Sequence, residues 1–376
     1  MQISDSFDSG NILVRGIEGQ TARLAIKKDF GEDGFFQWFH FRLSDVRDQP
    51  VELVIENAGE ASYTAGWEGY RACASYDRET WFRCDTHYAQ GQLTIELTPE
   101  VDTVWIAYFA PYSRERHHSL IAACQLEVNC RHSVIGQSVD GEDIDLLTIG
   151  EPGPDKQSYW AIARQHPGET QAEWWMEGFL ERLLDPDDPV TREILRRGVF
   201  YVVPNMNPDG SRRGHLRTNA AGANLNREWE TPTSERSPEV LAVRNKMDET
   251  GLDFFIDVHG DEGLPYVFIA GAEGVPGFDA RQDQLLNDYQ SALVRANPDF
   301  QIEKGYPKAR PGTSTSLAMA TRQVSDRFKG LAMTLEMPFK DNANAPDLDY
   351  GWSPARCRLI GRGCLDALYH VIDDLR

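Results

Sequence analysis

The sequence predicts two domains, an antiparallel β-sandwich followed by an α/β domain whose mixed sheet is covered by helices. Two patterns indicate this. Residues 1–112 contain short apolar runs separated by turn residues, which is typical of a sandwich. From about residue 124 onward, continuous apolar runs alternate with helical periodicity, which is typical of a sheet with helices on both faces. For this chain of 376 residues we place the domains at residues 1–122 and 123–376.

The first domain is predicted from six strand-like runs. The third run alternates apolar and polar side chains from Phe39 onward, as expected of a strand with one buried face. A helix over residues 113–122 then leads into the second domain. The six predicted strands cover residues 12–14, 21–26, 35–43, 51–57, 92–97 and 103–109.

The second domain is predicted to alternate strands with helices. Its strands are short apolar runs, and its helices show apolar residues recurring at helical spacing. The predicted strands cover residues 125–128, 143–150, 159–164, 198–204, 252–258, 266–270 and 331–335, and the predicted helices cover residues 170–184, 238–249, 280–297 and 354–375.

The composition excludes several functional classes. The formal net charge is −21, whereas nucleic acids and anionic membranes bind basic surfaces. No apolar run approaches the length of about 18 residues that marks a membrane span, and no secretory signal is visible at the start. Six cysteines without a C-x-x-C pair indicate reduced, mostly buried thiols. We therefore expect a cytoplasmic protein with no nucleic-acid or membrane partner.

The segment His166-Pro167-Gly168-Glu169 lies between a predicted strand and a predicted helix. Pro167 and Gly168 favour a sharp turn, so His166 and Glu169 can face one metal ion. An imidazole nitrogen and a carboxylate oxygen suit Zn²⁺, and a catalytic zinc keeps three protein ligands and one open position. An H-x-x-E pair alone occurs more often at a solvated helix start, so this interpretation requires a third ligand further along the chain.

Further polar residues follow the predicted strands at their carboxyl ends, where sites form in sheets of this kind. His259 follows residues 252–258 and is the third ligand in this interpretation, with a hydrogen-bonded core histidine as the alternative. Asp257 points the same way along the strand and is a candidate partner for that imidazole. Glu336 follows an apolar run, and apolar surroundings raise a carboxyl pKa into the range of a general base. A salt-bridged surface glutamate is the alternative there.

Five ordered motifs resemble the zinc metallocarboxypeptidase family, and within it the cytosolic carboxypeptidase subfamily. They are H-P-G-E at 166–169, N-P-D-G at 207–210, R-x-N at 217–219 with N-L-N-R-x-W at 224–229, D-x-H-G at 257–260 and T-L-E at 334–336. Two earlier segments, F-D-S-G-N at 7–11 and Q-W-F-H-F-R at 37–42, resemble the leading β-sandwich of that subfamily. The resemblance covers nearly the whole chain. It implies a carboxypeptidase-like α/β/α catalytic domain behind the sandwich.

The resemblance also implies roles for the residues already singled out. His166, Glu169 and His259 match the ligands of one Zn²⁺ per chain, and Glu336 matches the general base and acid. Hydrolysis would then use a metal-activated water whose proton Glu336 accepts.

Three further residues acquire roles only through the resemblance. Arg217 matches the arginine that polarises the scissile carbonyl and stabilises the developing negative charge. Asn226 and Arg227 match the pair that holds the terminal carboxylate of a peptide, a task that suits a planar guanidinium.

The chain departs from the subfamily at several positions. Asn224 replaces an aspartate that orients a zinc-binding histidine, and an amide brings no charge to that contact. The arginine that reads an acidic side chain in glutamate-trimming members is absent, because Gly312-Thr313-Ser314-Thr315 carries Thr315 at its position. The candidate substitutes for this arginine from the same region are Lys308, Arg310 and Arg322. The candidate for the mobile substrate-side tyrosine of the family is Tyr306.

The sequence thus predicts a zinc-dependent metallocarboxypeptidase that removes C-terminal amino acids from peptides or protein tails. Two alternatives stay open. A zinc amidohydrolase acting on small acylated amino acids or cell-wall peptides would use the same carboxylate clamp at Arg227. A non-catalytic protein that holds a C-terminal tail would use the same cleft, although it would not need Glu336. The motifs do not specify the natural substrate, the preferred terminal residue or the oligomeric state.

Overall fold

The computed structural model describes residues 1–309 and 316–376. Its first ten strands are β1 (Gln2–Ser4), β2 (Leu13–Glu18), β3 (Thr21–Ala25), β4 (His40–Ser44), β5 (Val51–Ile55), β6 (Cys73–Ser75), β7 (Phe82–Arg83), β8 (Asp85–Ala89), β9 (Gln92–Leu97) and β10 (Thr103–Ala107). They form two five-stranded sheets with the orders β1-β4-β10-β6-β7 and β2-β3-β5-β9-β8. The buried residues of both sheets share one core, so the predicted sandwich is confirmed.

One pairing in the sandwich is parallel rather than antiparallel. β3 and β5 lie side by side in the same direction, with Ala22 opposite Leu53. Between them the chain crosses to the other sheet and contributes β4 there. Because the chain crosses to the other sheet and back, β5 runs in the same direction as β3. This explains the parallel pair within an otherwise antiparallel domain.

The second part of the chain contains eight α-helices and seven strands within the described residues. They are α1 (Arg114–Cys124), β11 (Cys130–Gln137), β12 (Asp143–Ile149), β13 (Gln157–Ala163), α2 (Gln171–Leu183), α3 (Pro189–Arg197), β14 (Gly198–Val203), α4 (Pro208–Arg213), α5 (Pro238–Thr250), β15 (Phe254–Asp261), β16 (Phe268–Ala270), α6 (Ala280–Ala296), α7 (Ala320–Phe328), β17 (Leu331–Pro338) and α8 (Pro354–Val371). The strands form one sheet in the order β11-β12-β14-β13-β15-β17-β16. β13, β14, β15 and β17 pair in parallel, and the remaining pairs are antiparallel.

Helices cover both faces of this mixed sheet, as predicted. Successive residues of β15 point to opposite sides. Phe254 and Ile256 belong to the core shared with α2, α6 and α8, whereas Phe255 packs in a second core with α5 and α7. The first core continues into the sandwich, where Tyr108 stacks on Phe339 with ring centroids 4.5 Å apart. The two domains therefore share apolar packing.

The predicted strand over residues 125–128 is wrong. α1 starts where expected, because the Ser113 side chain accepts a hydrogen bond from the Arg116 backbone N–H and caps the helix. The chain then passes through turns before β11. Leu126 and Val128 are 82% and 99% exposed, so their apolar alternation does not mark a buried face.

The cysteine prediction is confirmed. All six cysteines are buried free thiols, and burial raises the pKa of Cys84 to about 12, which suppresses its reactive thiolate.

Among the described residues, no helix has both the length and the apolar character needed to cross a bilayer.

Glycines allow α2 and α8 to cross at close range. A Cβ atom at Gly178 would lie 2.3 Å from the carbonyl oxygen of Arg358, and one at Gly361 would lie 2.3 Å from that of Trp175. The two helices thus meet backbone to backbone, with no room for side chains between them.

We expect Gly178→Ala to lower the free energy of unfolding by about 1–3 kcal/mol, because the added methyl group forces the helices apart. This cost exceeds the gain in helix propensity from alanine. Denaturant-induced unfolding measures the change. Gly363→Ala in α8 is the control, since its Cβ would meet no atom closer than 3.4 Å. Equal destabilisation by both variants would contradict this account of the crossing.

Candidate metal centre and its cleft

A buried arginine shapes the turn that follows β13. Arg164 has a left-handed backbone with φ of 60°. Its guanidinium donates hydrogen bonds to the carbonyl oxygens of Pro167 at 2.9 Å and Tyr112 at 3.0 Å, and it pairs with the buried carboxylate of Glu173. Arg164 therefore supports the turn at residues 166–169 from the protein interior.

His166, Glu169 and His259 lie together and are buried, with one potential ligand atom from each within 4.8 Å of the others. The two carboxylate oxygens of Glu169 lie 2.7 Å from His166 Nδ1 and 2.7 Å from His259 Nδ1. The two Nδ1 atoms are 3.1 Å apart. Each imidazole thus directs its Nδ1 atom toward one point beside the carboxylate of Glu169.

The other imidazole nitrogens are held from behind. His166 Nε2 lies 3.0 Å from Asn224 Oδ1, and His259 Nε2 lies 3.0 Å from Asp257 Oδ2. Asp257 Oδ2 also accepts a hydrogen bond from Gln165 Nε2 at 2.6 Å. Such contacts fix the orientation of metal-binding imidazoles. Two imidazole nitrogens and a carboxylate are a donor set that suits Zn²⁺.

The charges of the three donors depend on one another. Burial lowers the pKa of His166 to about 4, with Arg217 adding to the effect. Burial also lowers the pKa of His259, but Asp257 and Glu169 outweigh it and raise that pKa. At Glu169 burial raises the pKa, and the two histidines outweigh it. These directions favour an ionised Glu169 and a neutral His166, the forms that bind a metal, whereas His259 would release its proton when a metal binds.

Glu336 lies beside His259, because β15 and β17 are parallel and place these two residues opposite each other. Burial raises the pKa of Glu336 well above its ordinary value, with His259 opposing and Glu169 adding to the shift. Its Oε1 lies 3.3 Å from the hydroxyl of Tyr306, which donates to Asp261 Oδ2 at 2.6 Å. Its Oε2 is buried and has no partner within residues 1–309 and 316–376. An unpaired buried oxygen beside the three donors fits a site that holds a zinc ion and its water.

These residues line a cleft with a volume of about 1120 Å³. The N-terminal domain supplies one wall of it through residues 62–66, and the α/β domain supplies the rest. The volume exceeds the range typical of sites for small molecules, so the cleft has room for the end of a peptide.

Arg217 is held in this cleft by the N-terminal domain. Its guanidinium carbon lies 5.6 Å from the ring centroids of both Phe35 and Tyr63, within the range of cation–π contacts. The buried carboxylate of Asp29 accepts hydrogen bonds from the backbone N–H groups of residues 216–218 at 2.6, 2.7 and 3.0 Å. Asp29 therefore fixes the loop that carries Arg217.

The sequence reasoning missed these contributions from the sandwich. No local pattern around Asp29 or Tyr63 distinguishes them from other residues in turns. Phe35 belongs to the predicted strand over residues 35–43, but β4 begins only at His40, so that pattern did not indicate a position beside the cleft. It also missed Glu262, which lines the cleft and is only 6% exposed. Burial raises the pKa of this carboxyl, with Glu169 adding to the effect. Examining the residues directly after His259, at the same strand end, would have found it.

The residues matched to the carboxylate clamp have different surroundings. Asn226 Oδ1 accepts a hydrogen bond from the Ala320 backbone N–H at 2.9 Å, and Asn226 Nδ2 lies 3.4 Å from His259 Nε2. Arg227 is exposed to the cleft and donates to the carbonyl of Asn226 at 2.7 Å. Arg227 is thus the more accessible of the two for a ligand.

The basic candidates near the cleft are only partly described. Arg322 and Lys308 line the cleft, and Lys308 Nζ lies 3.9 Å from a carboxylate oxygen of Glu273. Arg310 and the Gly-Thr-Ser-Thr segment at 312–315 lie outside the described residues.

Comparisons with known proteins cover nearly the whole chain. Residues 3–109 match the cytosolic carboxypeptidase N-terminal domain, and residues 125–354 match zinc carboxypeptidase. A crystal structure of a Shewanella denitrificans protein is 52% identical, with a TM-score of 0.97 over 99% of each chain. The metallo-carboxypeptidase from Pseudomonas aeruginosa, solved in complex with (2-guanidinoethylmercapto)succinic acid, is 44% identical, with a TM-score of 0.97 over 100% of each chain. Human cytosolic carboxypeptidase 2 is 28% identical, and the match covers 70% of this chain and 33% of that longer protein.

Changing Asn224 tests its contact with His166. We expect Asn224→Ala to weaken Zn²⁺ binding roughly 10- to 100-fold, the usual effect of losing such a partner. Asn224→Asp should strengthen binding, because a carboxylate makes the imidazole more basic. Competition with a coloured chelator measures both affinities, with the exposed Asn344→Ala as control. Unchanged affinity in both variants at position 224 would show that the contact does not support metal binding.

Proposed function

The chain belongs to the zinc carboxypeptidase family, and on that premise we propose that it is a zinc-dependent metallocarboxypeptidase acting on the C-termini of peptides or protein tails. The observation that carries this proposal is that buried His166, Glu169 and His259 lie next to Glu336 in one cleft. The three donors would hold one Zn²⁺ per chain. A bound Zn²⁺ lowers the pKa of a water molecule and polarises a carbonyl oxygen.

Glu336 serves as general base and then as general acid in this proposal. Its raised pKa lets it accept a proton from the attacking water and pass that proton to the leaving amine. Tyr306 is the proposed substrate-side tyrosine. Asp261 holds its hydroxyl at 2.6 Å, and the same hydroxyl lies 3.3 Å from Glu336 Oε1, within reach of a leaving group at that position.

Arg217 stabilises the negative charge that develops on the scissile carbonyl oxygen. Such stabilisation is effective when the donor is already in place before the reaction. Contacts with Phe35, Tyr63 and Asp29 supply that rigidity. The sandwich therefore takes part in catalysis by positioning the arginine.

Arg227, with Asn226 beside it, binds the terminal carboxylate of the substrate. Desolvation in the cleft lowers the pKa of Arg227, and neighbouring Arg217 and Arg322 lower it further. Three guanidinium groups close together make this part of the cleft favourable for an anion. The clamp would restrict hydrolysis to chain ends.

The cleft volume favours peptides over small acylated amino acids as substrates, since about 1120 Å³ is more than such a molecule fills. Glu336 Oε2 is buried and has no partner among the described residues, which favours an enzyme over a tail-binding protein. We also propose a cytoplasmic location, in line with the names of the cytosolic relatives and the six buried thiols. The proposed domain boundary between residues 122 and 123 falls in the last turn of α1, which joins the two domains as one continuous helix.

Incubation of the zinc-loaded protein with a library of C-terminal peptides, followed by mass spectrometry, tests the function. We expect release of single C-terminal residues that stops when a chelator is added. Glu336→Gln should lower kcat by roughly 10²–10⁴-fold, the usual contribution of a general base, while one zinc per chain remains bound. Turnover retained in this variant would remove Glu336 from the mechanism. No release from any peptide by the zinc-loaded protein would favour the amidohydrolase or tail-binding alternatives.

A second substitution tests the role of the sandwich in catalysis. We expect Asp29→Asn to lower kcat/KM about tenfold, because weakening these charge-assisted hydrogen bonds costs about 1.5 kcal/mol or more and loosens the loop of Arg217. Zinc content should not change. Asp33→Asn, an exposed position in the same loop, is the control. If both variants keep full activity, the hydrogen bonds to Asp29 do not position Arg217.

A further inference from the structure

We propose that the cleft contains a second recognition site, in which the carboxylate of Glu262 binds a positively charged group on the N-terminal side of the scissile bond. This inference rests on the proposed carboxypeptidase function and defines its substrate class. It predicts preference for a free α-ammonium group in a dipeptide, or for a lysine or arginine side chain directly before the scissile bond.

Glu262 is a buried carboxylate that faces the cleft. It is 6% exposed and lines the cavity. Among the described residues, its carboxylate has no side-chain hydrogen-bond or ion-pair partner and interacts only with its own backbone N–H. The loop at residues 62–66 packs over it, since a Cβ atom at Gly66 would lie 3.2 Å from Glu262 Cβ. A buried carboxylate without a cationic partner is costly. A bound cation would supply the missing partner.

The neighbouring acidic residue is already engaged. Asp261 accepts hydrogen bonds from the backbone N–H groups of Gly263 at 2.8 Å and Leu264 at 2.5 Å, and from the hydroxyl of Tyr306 at 2.6 Å. Of the two adjacent carboxylates, Glu262 is therefore the one available to a ligand.

The charged groups lie at different walls of the cleft. Burial is the main influence on the pKa of both Arg227 and Glu262, and Arg217 lowers the pKa of each. Arg217 is thus a neighbour of both groups, while Arg322 acts on Arg227. Glu262 lies at the wall formed by residues 62–66, where Tyr63 contacts the Arg217 guanidinium. Arg227 follows Asn226, which is hydrogen-bonded to the first residue of α7.

A peptide has the complementary order of charges. With its terminal carboxylate at Arg227 and its scissile carbonyl at Arg217, the preceding residue continues toward Glu262. One extended residue spans about 3.3–3.6 Å, so the first group to reach Glu262 is the α-ammonium or side chain of that residue. An acidic side chain there would face the carboxylate of Glu262, which disfavours acidic tails.

The test uses the zinc-loaded enzyme and acetylated tripeptides that differ only in having Lys, Ala or Glu before the scissile bond. We expect kcat/KM to fall in the order Lys, Ala, Glu, with Lys over Glu by about tenfold or more, as for a hydrogen-bonded charge pair. A dipeptide with a free amino group, compared with its acetylated form, separates recognition of the α-ammonium from recognition of the side chain. Preference in either arm supports the proposal.

Glu262→Gln should reduce the Lys-to-Glu ratio of kcat/KM about tenfold. Glu303→Gln is the matched control, because Glu303 also lines the cleft but is exposed at the surface, and this variant should keep the ratio. Equal loss in both variants would indicate a general charge effect and overturn the proposal. So would equal cleavage of every peptide by the unmodified enzyme, which would leave the carboxypeptidase function intact. Failure to cleave any peptide would overturn both.

Discussion

The site depends on the register of three parallel strands. Ala163 of β13, Val258 of β15 and Leu335 of β17 lie in one row across the sheet. β13 ends in this row, whereas β15 and β17 continue side by side for three more residues. His259 therefore lies opposite Glu336, and the turn at residues 166–169 that follows β13 brings Glu169 against His259. A shift by one residue would turn a donor into the apolar core. The burial that makes this register favourable also removes water from the donors, and their mutual charges then determine which of them are ionised.

The cleft belongs to both domains. The sheet supplies the metal-ligand candidates and Glu336, while the sandwich supplies the aromatic rings and the carboxylate that hold Arg217. This division suits the physics of each part. Donors near strand ends are held rigidly, because backbone hydrogen bonds fix each strand to its neighbours. An arginine on a loop needs outside support, and Asp29 provides it through three backbone hydrogen bonds.

Much of the fold and the main donors could be predicted from the sequence, because their signals are local. Apolar periodicity identified twelve of the seventeen described strands and missed β1, β6, β7, β8 and β11. The rule that sites form at the carboxyl ends of strands placed His259 and Glu336 near the ends of β15 and β17, where the structure has them. The strand predicted at residues 125–128 is wrong because Leu126 and Val128 are exposed, and alternation alone does not reveal which side chains face water. Asp29 and Tyr63 could not be predicted. Their importance arises from contacts between residues more than 150 positions apart, and the sequence around them carries no pattern that records those contacts.

The hydrogen bonds between Asp29 and the loop of Arg217 make the proposed activity depend on the folding of both domains. A catalytic sheet that has formed without its sandwich lacks the carboxylate and the rings that hold Arg217, although its metal donors are all present. The proposed activity is therefore confined to molecules in which both domains have docked. Partly folded or proteolytically trimmed chains could bind metal yet remain harmless to the other unfolded chains around them, which expose free C-termini of the kind this cleft would accept.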